Sequence, residues 1–362
     1  MIPPPLHRPA LFGTARLGAA VPGTALLLGL TLLAGCTGVL PDGGPGSAAS
    51  GTGAPATVTG APATGSSPDA PARSEAVGTA DTPATSAHTS GATCDDPPCY
   101  GDLVSLGDVP VEVAPEVSGI AASTRPGYYF VVDDGTGTTS IEVLRGVEPV
   151  GRVEVGGMSA SNAEALSAGV CAPGAPDRCL YIGDIGDHIG RDSVTVYRIP
   201  EPDPENLPST PFPAQAWTYT YADGPRDAEA LMVADDGSLI VIDKPEGGGK
   251  HRVYRGAPGG GVFTPVTSFD LPSPTRPLQS LLVGNVVTDA ARRADSVLLL
   301  TYDQAIEYTA PHQGADPAGF PDWPHRQVPM PRQLQSEAVS YLPGCGYVVA
   351  SEGGPIAEVN CT

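Results

Sequence analysis

Apolar positions along most of this chain come in short alternating runs, cut by glycine, proline and Asp-Gly pairs, a period-2 pattern that predicts strands rather than helices. The clearest stretch is 227–255, DAEALMVADDGSLIVIDKPEGGGKHRVYR. It holds three strands: one around Ala230 and Met232, a second over 238–243, a third over 251–255. Asp236-Gly237 supplies a two-residue hairpin turn, whose central positions both need positive φ. The glycine run 247–249 closes a looser hairpin. The same phrase returns as NAEALSAG…CLYIGDIGDHIGRDSVTVYRI from Asn162 and as QSEAVSYLPGCGYVVASEGGPIAEV from Gln335. Weaker copies begin at Glu116 and Val286.

A strand-hairpin-strand phrase repeated at this spacing predicts a repeat architecture, and units of this size suit the blades of a β-propeller. Each blade needs about four strands. Fourth, outer strands follow four of the copies, at 150–155, 215–221, 262–271 and 325–329. The copy at Gln335 has no sequel before Thr362, and the remaining β-like stretch is 103–113. The expected fold is therefore all-β: a propeller of five four-stranded blades, the last completed by an N-terminal strand. A sixth blade would have to sit within 310–330. Closure removes the open sheet edges that recruit other chains, so a monomer is expected.

The phrases E-A-L at Glu164 and Glu229, and E-A-V at Glu337, resemble the innermost-strand motif of bacterial β-propellers. The phytase-like propellers, the gluconolactonase family and NHL repeats carry a comparable E-G-[IL]-A, degraded here to Ser118-Gly119-Ile120-Ala121. YIGDIGDH…VTVYRIPEP and DGPRDAEAL resemble exported propellers of actinobacterial type. The resemblance spans 116–362 and implies a fold; propellers host many unrelated activities.

Composition changes the picture at the N-terminus. Arg8 and Arg16 precede an apolar run, 25–33, too short for a lasting membrane span. It ends in Leu33-Ala34-Gly35-Cys36, similar to the bacterial lipobox, which implies cleavage before Cys36 and a diacylglycerol on its thiol. Residues 1–36 thus read as a lipoprotein leader. Residues 37–93 are Ala, Gly, Ser, Thr and Pro, too poor in large apolar side chains to offset their ordering entropy. As a coil of about 57 residues they would span roughly 40 Å, a tether between a membrane anchor and a folded domain at 94–362. The expected location is the extracytoplasmic face of a cell membrane. Net charge is −21, with Lys244 and Lys250 the only lysines. That balance excludes nucleic acid and anionic membrane surfaces as natural partners of the domain. With Cys36 lipidated, six cysteines remain for three disulfides in an oxidising compartment. Proximity favours Cys94–Cys99, Cys171–Cys179 and Cys345–Cys361. For the last, a turn over 351–355 sets Ala350 opposite Ile356, and counting outward sets Cys345 opposite Cys361.

Candidate chemistry follows from strand pairing. Around the Asp236-Gly237 turn, Glu229 falls beside Asp243 and Lys244. By the same count Glu337 opposes Glu352, and Glu164 falls near Asp184. Asp133 and Asp134 end the corresponding strand of the first blade, and Asp303 lies just past it in the fourth. One face of the ring should then gather carboxylates around the axis, where like charges either hold protons or recruit cations. Hard oxygen donors outside the cell favour Ca²⁺. The alternative is that each glutamate caps its strand or pairs with Arg191, Arg226 or Lys244. Asp184 and Asp187, in Asp-Ile-Gly-Asp-His188, suit a turn as well as a cation. No zinc spacing such as H-E-x-x-H, no G-x-S-x-G elbow and no phosphate-cradling loop is present. Two function classes remain: a surface module that binds a protein, glycan or small ligand on an acidic, Ca²⁺-occupied face, and a metal-dependent hydrolase or lactonase of phytase-like type.

Overall fold

The computed structural model describes residues 99–245 and 248–362. Cys36, the 37–93 segment and Cys94 lie outside these residues, and so does the expected Cys94–Cys99 pair. After β1 (Tyr100–Asp108), four strands form an antiparallel meander: β2 (Val117–Ala122), β3 (Tyr128–Asp133), β4 (Ser140–Arg145) and β5 (Glu148–Gly156). The second unit is β6 (Ala163–Val170), β7 (Arg178–Asp184), β8 (Val194–Pro200) and an outer strand, β10 (Gln215–Tyr221). Between its last two members lies the short β9 (Phe212–Pro213), paired in parallel with β5. The third is β11 (Ala228–Val233), β12 (Leu239–Asp243), β13 (His251–Gly256) and β14 (Gly261–Phe269). A short helix, α1 (Pro277–Val283), precedes the fourth: β15 (Val287–Arg293), β16 (Ser296–Thr301), β17 (Ala305–Thr309) and β18 (His325–Val328). The last is β19 (Ser336–Tyr341), β20 (Tyr347–Ser351) and β21 (Pro355–Cys361), with β1 as its outermost member.

The domain is all-β and propeller-like. The first strands of the units (β2, β6, β11, β15, β19) touch one another in cyclic succession, β19 returning to β2. β2, β11 and β19 are buried throughout and β6 and β15 over their first residues, whereas the outer β10 alternates with solvent and β14 is mostly exposed. This is the burial gradient expected when sheets stack face to face around an axis. Hydrophobic clusters fill every interface between successive units, including the one joining last to first through Ile120, Tyr129, Val348 and Ile356. The inner strands approach so closely that a Cβ on Gly119 would lie 2.3 Å from the backbone nitrogen of Leu166. Only glycine fits there.

The closing strand begins earlier than expected, at Tyr100, and stops at Asp108 rather than reaching Val113. Pro110 has no N–H to give a ladder, and its carbonyl instead accepts from Val113 and Ala114 in a turn. Within 310–330 the chain forms a 3₁₀ turn, Pro317–Asp322, and then β18. Its Phe320 packs edge-on to Phe269 and Tyr308. The pairs Cys171–Cys179 and Cys345–Cys361 are disulfides, and Ala350 faces Ile356. They fit an oxidising, extracytoplasmic environment. Closure is also tied from within. The fully buried Glu307 carboxylate accepts from the hydroxyls of Tyr100 and Tyr341 (the latter at 3.1 Å) and pairs with Arg326 at 2.7 Å.

Candidate acidic site at the propeller axis

All five inner strands carry a register shift at their start: between Val117 and Gly119, Ala163 and Ala165, Ala228 and Ala230, Val287 and Asp289, and Ser336 and Ala338. The residue left unpaired at each is Ser118, Glu164, Glu229, Thr288 or Glu337. A bulge frees one residue from the ladder and re-aims its side chain. Three carboxylates and a serine thereby reach one cavity of about 150 Å³, lined further by Glu116, Asp134, Glu352, Lys244, Tyr302, Gln335 and His188. The fourth unit's Thr288 turns away and donates to the Ser336 carbonyl at 2.7 Å.

Glu164, Glu229, Glu337 and Glu352, all expected near the axis, are together in this cavity. Their immediate partners differ. Glu164 accepts from the Ser118 hydroxyl at 2.6 Å and from the Asn162 amide. Glu229 accepts from the Lys244 ammonium at 2.8 Å, and that ammonium stands 5.7 Å from the centre of the Tyr302 ring. Glu352 accepts from the Gln335 amide. Asp184, Asp187 and Asp243 do not line the cavity. Asp184 accepts from the backbone N–H of Ser161 and Asn162 and pairs with Arg191 at 2.9 Å. The Asp187 carboxylate closes its own loop on the N–H of Ile189 and Arg191, the turn use that its spacing allowed. Asp243 is committed to the N–H of Arg252 at 2.6 Å and to that residue's guanidinium. Asp303, in the fourth unit, accepts from Thr275 and from the Arg276 N–H.

Crowding sets the electrostatics. Burial, then Glu164, pushes the Glu229 carboxyl well above its ordinary value against the pull of Lys244. Burial lifts Glu337 to about 7, opposed by Lys244 and reinforced by Glu164 and Glu352. Asp134 is pushed up to about 8, first by burial and then by Glu164 and Glu116. Glu352 is raised by burial, Glu116 and Glu164. Burial alone would lower Lys244, but Glu229 outweighs it and holds the ammonium above its ordinary value. These carboxyls cannot all ionise together without a further cation.

On one wall the ligand oxygens of Glu116, Asp133 and Asp134 all lie within 4.8 Å of one another, a grouping that could hold a metal ion. Spacing singled out the two aspartates but not Glu116, which precedes the inner strand and offers no periodic signal. Tyr302 was also missed, because it falls in the turn after β16 and only closure of the ring brings it to the axis.

Neither a family model nor a curated protein matches this chain. Among solved structures it is similar to a streptogramin B lyase, at 12% identity over 73% of this chain and 98% of that one, with a TM-score of 0.38. A gluconolactonase from Xanthomonas campestris is 12% identical over 74% and 96%, TM-score 0.41. A glucose dehydrogenase is 8% identical over 72% and 100%, TM-score 0.40. Likenesses this distant say nothing about activity.

Proposed function

We propose that this chain is an exported, lipid-anchored propeller whose axial acidic cavity binds Ca²⁺ and, with it, an external ligand. The observation that carries this reading is the meeting of Glu116, Asp134, Glu164, Glu229, Glu337 and Glu352 around one small cavity with a single ammonium, Lys244. The donors suit a hard cation, since Ca²⁺ takes about six to eight oxygens and tolerates irregular geometry. Burial and mutual repulsion hold these carboxyls above their ordinary values, and a bound cation would offset that repulsion and stabilise their ionised forms. Glu116, Asp133 and Asp134 would hold it, with Glu164 and Glu352 near enough to be felt electrostatically.

Calorimetric titration with CaCl₂, beside melts with and without chelator at fixed ionic strength, tests the reading. Ca²⁺ at about 100 times its dissociation constant should add about 2.7 kcal/mol, a rise of several degrees for a domain of this size. Asp134→Asn should remove most of that rise. No heat and no shift in the wild type would end it.

A second reading, a metal-dependent hydrolase or lactonase, is favoured by one feature: Glu337 at about 7 and Asp134 at about 8 lie where a general acid or base works at neutral pH. Ca²⁺-dependent hydrolysis of simple lactones or esters, lost in Glu337→Gln, would establish it. Their survival intact under those conditions would exclude it.

A further inference from the structure

α1 has no buried residue and carries neither an acidic nor a basic side chain in its end turns. Leu278, Leu281 and Leu282 are each about four-fifths exposed, and Leu334 is 62% exposed. Three leucines pointing to water on a seven-residue helix give the fold nothing, and a helix this short has little stability of its own. It is held in place by polar contacts at its base. Gln279 donates to the carbonyls of Tyr302, Gln333 and Leu334 at 3.2, 2.8 and 2.9 Å, and the Arg276 guanidinium donates to those of Tyr302 and Gln333. Those anchor points belong to the wall of the acidic cavity: Tyr302 lines it, and Leu334 is followed by Gln335, which lines it too. Large apolar side chains left this exposed, three of them on one short helix, mark a candidate interaction site.

We infer that α1 and Leu334 form, with the acidic cavity, a docking surface for a polypeptide segment that presents a lysine or arginine flanked by apolar side chains. This inference rests on the reading of the axial cavity as a binding site. Charge complementarity selects the occupant. The helix is pinned through Gln279 and Arg276 to Tyr302, a wall residue of a cavity with six carboxyl groups and one ammonium, so a segment that covers the leucines and reaches that wall must bring positive charge with it. A second copy brings the same excess of acid, in a chain of net charge −21 with two lysines. An anionic membrane repels the face for the same reason. A basic side chain entering the cavity would lie as the Lys244 ammonium does, against carboxylates and the Tyr302 ring, with its neighbours over the leucines.

The probe is a fluorescein-labelled nonapeptide with one central lysine among alternating leucine and serine, followed by anisotropy at low salt. Its controls replace the lysine by glutamate, or every leucine by serine. The wild type should bind the parent peptide at least tenfold more tightly than either control. Leu278→Ser/Leu281→Ser/Leu282→Ser should lose that margin while keeping the wild-type melting temperature and Ca²⁺ response. Leu334→Ser, off the helix, guards against a local folding defect and should weaken binding in the same direction. Equal binding of the parent and glutamate peptides, or equal binding by wild type and both leucine variants, overturns the inference. So does leucine-dependent dimerisation in sedimentation velocity, or leucine-dependent cosedimentation with phosphatidylcholine vesicles, without peptide binding. A Ca²⁺ response without peptide binding would defeat this inference alone. Peptide binding without a Ca²⁺ response would leave it standing and defeat the Ca²⁺ reading.

Discussion

Glu337→Gln should make the Ca²⁺-free protein more stable at alkaline pH and leave it nearly unchanged at acid pH. The Glu337 side chain sits at a bulge, is 8% exposed and shares its cavity with five other carboxyl groups. The folded state holds its proton to about 7, against 4.5 for a free glutamate. A carboxyl raised in this way binds its proton more tightly folded than unfolded. Its effect on stability is therefore neutral below pH 4.5, turns unfavourable as pH rises through 4.5 to 7, and is constant above. At about 1.4 kcal/mol per pH unit, the cost is about 3 kcal/mol by pH 8. Glutamine keeps the shape and cannot ionise. The variant should thus match the wild type near pH 4.5 and exceed it by about 2–3 kcal/mol at pH 8, read from urea denaturation in chelator. Excess Ca²⁺ should narrow the gap at pH 8 by stabilising the wild type more than the variant. A stability difference that is the same at both pH values would mean that Glu337 is not held protonated by its surroundings, and the electrostatic account of the cavity would fail.

Glu307→Ala should cost about 3–5 kcal/mol, because it removes the buried carboxylate that pairs with Arg326 and Arg293 and unties Tyr100 from β17; thermal and urea melts read this directly. Deleting residues 100–108 removes the outermost strand of the last unit and exposes the edge of β21, so loss of cooperative unfolding or aggregation should follow. Deleting 37–90 should leave the melting temperature nearly unchanged, and equal effects of the two deletions would show that closure does not depend on β1. Cys36→Ala should release the protein from the membrane fraction or leave an unprocessed precursor, and unchanged lipid labelling in that variant would refute the anchor.

Strand order and the all-β class were legible in the sequence because both depend on local rules. Period-2 alternation and the recurring E-A-[LV] phrase mark where strands start, and counting from a turn set Ala350 opposite Ile356 and joined Cys345 to Cys361. Asp236-Gly237 does mark a turn, but Ala234 and Ser238 close it around three residues rather than the two expected. The same counting brought Glu164, Glu229, Glu337 and Glu352 to one face, where they do meet. It put Asp184 and Asp243 in the same company, since register reports which residues are neighbours and not which way their oxygens turn. That choice is made by contacts distant in sequence. Arg191 and the Ser161–Asn162 backbone claim Asp184, and Arg252 claims Asp243. The bulges that aim the glutamates inward have no signature of their own, because an extra residue in a strand is defined only by the partner strand it fails to match. Glu116 and Tyr302 join the cavity wall through closure of the ring, which brings together residues far apart in the chain. Ring closure is also what buries these carboxyls, and their raised affinity for protons follows from that burial, as no local sequence pattern could show.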